Sequence, residues 1–121
     1  MPPDKAHHPE SGWERLGAGG EALKRAMRHF PSGVTVVTSG SGERAEGMTA
    51  NAVISVSLDP PLMLVSVHKS ARLNPRIREE RAFAINILAD DQEGLSRLFA
   101  SPERSSGPTA VRSLGGGYGR T

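Results

Sequence analysis

GMTANAVISVSLDPPLMLVSV, residues 47–67, decides the fold. It opens on small and polar side chains, Thr49, Ala50, Asn51 and Ala52, and then alternates apolar and small polar positions from Val53 to Ser57. A period of two sends successive side chains to opposite faces of a strand, so AEGMTANAVISVS reads as a strand with one face to bury. Pro60 and Pro61 punctuate it, because proline restricts the backbone and has no N–H to give to a ladder. LMLVSV follows, an apolar run with the pattern of a strand buried on both faces. Small residues beside such a wall let a flat ligand approach the backbone, whose N–H and C=O groups pair with its polar edge. Asn51 adds a side chain that both donates and accepts.

Working outward, GEALKRAMRHF places Leu23, Met27 and Phe30 on one face of a helix that Pro31 ends. SGVTVVTSGSGE predicts a β-branched strand over Val34–Thr38, running into a Gly/Ser turn at Ser39–Gly42. Beyond the opening stretch, HKSARLNPRIREE predicts a short helix with Ser70 and Asn74 as caps and Pro75 in its first turn. RAFAINIL predicts another strand. ADDQEGLSRLFA predicts a helix with Asp90 or Asp91 near its start and Leu95, Leu98 and Phe99 on one face. Four strands and up to three helices therefore occupy residues 21–100. A four-stranded sheet cannot close into a barrel by itself or easily hide its edges.

The flanks differ in composition. Residues 1–20 carry three prolines and four glycines and read as a mobile arm, with Trp13 as its one anchor. Residues 101–121 are rich in Ser, Gly, Pro and Arg and read as a disordered or aberrant tail. The chain of 121 residues is one domain long, enough to take roughly two thirds of its unfolded surface out of water. With hydrophobic residues at 36% and aromatics at only 4%, its core must be built from Val, Ile, Leu, Ala and Met.

Totals also exclude function classes. There is no cysteine, which rules out disulfides and thiolate metal sites and suits a reducing cytoplasm. No apolar run approaches the ~20 residues of a membrane span, and the first residues lack the apolar stretch of a signal peptide. The net charge of +2 lies wholly in the tail, where Arg104, Arg112 and Arg120 face Glu103 alone. No basic cluster is interleaved with stacking groups, so nucleic acid is not expected as a partner.

No catalytic constellation stands out. His7, His8, His29 and His68 lack the carboxylate spacing of a zinc site, and no metal is assigned. The serines Ser32, Ser55, Ser57 and Ser70 have no nucleophile elbow. What remains is a binding surface. Ser70, the backbone at Ala71 and the guanidinium of Arg72 suit phosphate oxygens, which Arg72 can grip with a bidentate fork. Together with the small residues at 49–52 they suggest a flat ring carrying a phosphate. The competing reading is a hairpin edge followed by an ordinary surface loop.

Four blocks, ALKRAMRHFPSGVTVVTS, GMTANAVISVSLDPPLMLVSV, HKSARLNPRIREERAFAINIL and DDQEGLSRLFAS, resemble in order and spacing the amino-terminal half of the flavin reductase-like family, over about residues 22–101. These are short-chain flavin:NAD(P)H reductases that serve two-component monooxygenases. The resemblance implies a mainly β, split-barrel fold, here incomplete at the C-terminus. It also implies a cytoplasmic homodimer, bound FMN or FAD, NADH or NADPH as electron donor, and a flavin-dependent monooxygenase as recipient of reduced flavin.

By position, Thr49, Ala50 and Asn51 would contact the ring edge, while Ser57, Ser66 and Val67 would form the wall. Ser70, Ala71 and Arg72 would hold the phosphate. Leu73 stands where the family commonly has a hydroxyl residue, and the family's later strands and Gly-Asp-His segment find no match. Residues 21–100 then read as a partial domain, and the tail as the mark of a deletion or shifted reading frame. The alternative function is a flavin-binding remnant without turnover.

Overall fold

The computed structural model describes residues 19–103, which fall into two units parted between Ser32 and Gly33. The first unit contains helix α1, Gly20–Met27. It stops one turn short of Pro31, and single turns then carry the chain on through His29 N–H to Ala26 and Phe30 N–H to Met27. Glu21 and Lys24 pair at 3.0 Å. The expected apolar stripe forms, but Leu23, Met27 and Phe30 are all exposed.

The second unit holds five strands, β1 Thr35–Ser39, β2 Glu46–Ala50, β3 Val53–Leu58, β4 Pro61–Val65 and β5 Ala84–Ile87. Two helices accompany them, α2 Leu73–Glu80 and α3 Glu93–Ala100. The strands form an antiparallel sheet in the order β2-β1-β5 and a separate β3-β4 hairpin. Mainly β with three short helices is the expected class, and the two sheets do not close into a barrel among the described residues.

The stretch read as one strand from Ala45 to Ser57 is two. Glu46–Ala50 pairs with β1, from Thr35 opposite Ala50 to Ser39 opposite Glu46, whereas Val53–Leu58 pairs with β4. Asn51 and Ala52 lie between them, where the chain leaves one sheet for the other. Small side chains in the sequence mark a sheet-to-sheet crossing that periodicity alone does not reveal.

Strand β1 is buried along its whole length and separates two cores. Val36 packs with Phe99, and with Leu88 and Leu95, on the α3 side. Val37, one residue on and so facing the other way, packs with Ala50 and Leu73, joined by Met48, Val53, Val65 and Ile77. The polar side chains of β1 are satisfied locally: the Thr35 hydroxyl donates to Ala50 O at 2.6 Å and the Ser39 hydroxyl to Ala82 O at 2.7 Å. Asn86 of β5 donates to Val36 O at 2.9 Å.

Burial on both faces, expected for LMLVSV, is overturned. Leu62, Met63 and Leu64 are each about half exposed, and the strand ends at Val65. The hairpin joins the core at its base, where Val53 and Val65 face each other, and the rest of it stays largely exposed. At its tip the Asp59–Pro60 peptide is cis.

One helix start also differs from expectation. Arg72, not Ser70 or Asn74, occupies the N-cap position of α2, without a side-chain cap bond, and Asn74 lies inside the helix. α3 begins after the N-cap Gln92, with Asp91 just before it, near the start as expected. The Gln92 side chain is spent instead on the preceding turn, accepting from Ala89 N–H at 2.8 Å. The arm expected at 1–20 and the tail expected at 101–121 lie almost wholly outside the described residues, as does Trp13.

Candidate functional site

The site grows out of β2. Gly47 has no side chain because the Phe99 ring lies there: a Cβ would stand 2.6 Å from Phe99 Cε1 and 2.8 Å from Cδ1. Glycine inside a strand often signals such a close approach, and this one seats α3 against β2. Two residues on, the Thr49 hydroxyl donates to Ser96 O at 2.6 Å, a second tie between the same elements. The outer part of β2 and the last turn of α3 thus form one wall of a hollow.

The turn before α2 forms the other wall. Ala71 N–H donates to His68 O at 3.0 Å and Asn74 N–H to Ala71 O at 2.9 Å, folding residues 68–74 into consecutive tight turns. The Ser70 hydroxyl lies 2.8 Å from His68 Nδ1, which also accepts Ser70 N–H at 3.2 Å. Asn74 in turn receives Arg78 Nε at 2.9 Å, fixing the start of the helix. Between the walls lies an open cleft of about 420 Å³ lined by Met48, Thr49, Ser70, Ala71, Arg72, Phe99, Ala100 and Pro102.

Four of the nine candidate residues therefore meet in one place: Thr49, Ser70, Ala71 and Arg72. Ala50 is buried behind them in the core beside Val37 and Leu73, its carbonyl already accepting from Thr35. Asn51 is exposed at the crossing between sheets, outside the cleft lining. Ser66 follows β4, its N–H bonded to Ala52 O at 3.0 Å. Ser57 sits in β3 opposite Leu62, beside a bulge.

Val67 lines a different, larger hollow of about 560 Å³ between the hairpin and α2, along with Leu62, Val65, Ile77 and Phe83. Of the cleft's other members, Phe99 was legible only as a core residue, and Met48, Ala100 and Pro102 gave no sequence signal. The glycine at 47 was the available clue to a ring overhead.

Electrostatically the cleft contains one cation, with a carboxylate behind it. Arg72 Nη2 stands 3.7 Å from Glu46 Oε2, a charge contact longer than a hydrogen bond. The Arg72 side chain is 43% exposed and that of Glu46 only 10%. Outside the lining, Glu93 holds the Arg97 guanidinium above its ordinary value, first by hydrogen bonding and then by charge. Among the described residues no group of three or more acidic or histidine side chains is placed to hold a metal ion, and no helix is long and apolar enough to cross a membrane.

A guanidinium, a hydroxyl and a tight turn facing a strand edge fit a phosphate-bearing ligand with a flat body. Comparison with known proteins gives the family. Residues 27–113 match the model of the flavin reductase like domain. The chain is 48% identical over 94 residues to the NADH-dependent FMN reductase AsuE2 of Streptomyces nodosus subsp. asukaensis, covering 78% of this chain and 51% of that protein.

It is also 45% identical over 80 residues to the reductase component of the 4-hydroxyphenylacetate 3-monooxygenase of Thermus thermophilus, covering 66% and 54%. The structure of BorF, the flavin reductase component of a bacterial two-component tryptophan halogenase, superimposes with a TM-score of 0.69 at 40% identity, over 76% of this chain and 57% of that one. The chain spans about half the length of the two sequence relatives. By its domain match and these likenesses, it belongs to the flavin reductase-like family.

Proposed function

We propose that this chain is an NAD(P)H-dependent flavin reductase that supplies reduced FMN or FAD to a partner flavin-dependent monooxygenase. One observation carries the reading: family-matching segments far apart in sequence, at Met48–Thr49 and Ser70–Arg72, converge on a single cleft whose donors suit a phosphate. When bound, the flavin supplies the redox chemistry, taking up a hydride from the nicotinamide. The protein's share is placement. Arg72 and the Ser70 hydroxyl hold the phosphate at the turn before α2, with the backbone of Ala71 beside them. Thr49 presents the strand edge along which the ring lies, while Ala50 packs behind it and Asn51, Ser57, Ser66 and Val67 lie outside this cleft.

The functional unit is a homodimer in the cytoplasm. Support for a second copy comes from the hairpin, which leaves Ile54, Val56, Leu58, Leu62, Met63 and Leu64 exposed in one region. An apolar region of that kind calls for a cover.

The two open sheets favour one alternative, a flavin-binding unit without turnover. NADH oxidation by the purified chain, with and without FMN or FAD, is expected to be faster with flavin. Quenching of flavin fluorescence is followed in parallel. Quenching without turnover would establish the alternative, and neither quenching nor turnover would overturn both.

A further inference from the structure

Glu46 begins β2 and does not line the cleft; its carboxylate stands 3.7 Å from Arg72, which does. Its side chain is nearly buried, and a buried carboxylate is costly to hold unless a cation stands by it. Arg72 is also the cationic side chain that any phosphate in the cleft must use. The same guanidinium therefore faces a carboxylate built into the fold as well as the anion arriving with the ligand.

We propose that Glu46 is a positioning residue that competes with the ligand phosphate for Arg72 and so weakens the hold on phosphate-bearing flavin. The inference rests on the flavin reading given above and adds a device to the same site. A guanidinium offers five N–H donors in a rigid fork, so Arg72 can serve a phosphate while still near Glu46. The incoming anion then meets a cation already partly neutralised, and a second negative charge behind it.

The penalty falls on the phosphate and not on the ring. It is largest for the dianionic monoester of FMN and absent for riboflavin, which has no phosphate. A protein that must hand its reduced flavin to another enzyme has use for a phosphate grip weakened in this way.

The test uses the whole chain and the substitution Glu46→Gln, which keeps size and hydrogen-bonding capacity but removes the charge. Dissociation constants for FMN and riboflavin are measured by fluorescence quenching. Glu46→Gln is expected to bind FMN about two- to fivefold more tightly with riboflavin unchanged, the range of an ion pair with one half-exposed partner. In an Arg72→Ala background the same substitution is expected to change neither ligand.

FMN binding by Glu46→Gln that is equal to or weaker than that of the parent overturns the proposal, as does an equal gain for riboflavin. Circular dichroism checks the fold. Should Glu46→Gln not fold, Glu46→Asp withdraws the carboxylate from Arg72 by one methylene and is expected to give a smaller gain for FMN; a loss overturns the proposal.

If neither flavin binds the parent chain, the flavin reading itself fails, and inorganic phosphate decides the role of Glu46. Phosphate should then raise the melting temperature of Glu46→Gln more than that of the parent, and equal shifts overturn the competition.

Discussion

TVVTS in β1 and VISVSL in β3 are written in nearly the same alphabet, β-branched residues mixed with small hydroxyl residues, yet they end in opposite surroundings. Every residue of β1 is buried, whereas in β3 only Val53 and Ser57 are even half-buried. The cause is position. β1 has β2 and β5 on its two edges, α3 over Val36 and α2 over Val37, while β3 pairs with β4 alone. Local sequence makes a strand in both cases; the number of neighbours decides whether burial follows. The hairpin carries the more apolar side chains of the two and has the less to set them against.

If that contrast is right, the largest effects lie where α3 meets β1 and β2. Phe99 is 1% exposed, seated between Val36 and the bare backbone of Gly47. Phe99→Ala should cost about 3–5 kcal/mol of unfolding free energy in a urea titration, the usual loss for a buried phenylalanine. A value under about 1 kcal/mol would mean that this core is not what holds the second unit together.

Gly47→Ala probes the same contact from the other side and should cost about 1–3 kcal/mol, because its Cβ would overlap the ring. Made together with Phe99→Ala, it should cost much less, since the obstructing ring is gone. Additive losses would show that Gly47 matters for some reason other than Phe99.

Sequence reasoning found the strands and helices wherever a run was long and periodic, and it grouped Ser70, Ala71 and Arg72 as one phosphate-suited cluster. It missed the break at Asn51–Ala52, because a strand that continues and a chain that crosses to another sheet have the same alternation on either side of the crossing. It also overestimated burial of Leu62, Met63 and Leu64. An apolar run shows that a strand suits a covered position and says nothing about whether a cover is present. Within the site, Thr49 was legible as a small polar residue at a strand edge, but its bond to Ser96 was not, since 47 residues separate the partners. Glu46 was passed over because a single acid beside a glycine has no local pattern; only the fold brings it to Arg72.

A smaller effect separates structural from ligand-binding duty at Thr49. Thr49→Val keeps the shape and removes the hydroxyl that ties β2 to α3, leaving Ser96 O without that donor. The expected cost is about 1 kcal/mol, the net worth of one such hydrogen bond, read from the shift of the urea midpoint. A loss near that of Phe99→Ala would make the tie a principal support of α3. No loss at all would release the hydroxyl for the ligand.

The smallest effect belongs at the far end of the hairpin. Leu58 is 89% exposed opposite Pro61 at the tip, so Leu58→Ser should leave stability within about 0.5 kcal/mol of the parent, as for most surface changes away from a packed feature. The experiment is worth doing because its failure would be informative. A loss of more than about 1 kcal/mol requires that Leu58 be covered in solution, and the proposed second copy is one such cover. In that event the midpoint of unfolding would rise with protein concentration, since a partner that binds only the folded chain stabilises it by mass action. A large loss that is independent of concentration would instead place the cover within the chain itself, and the contrast between β1 and the hairpin would shrink accordingly.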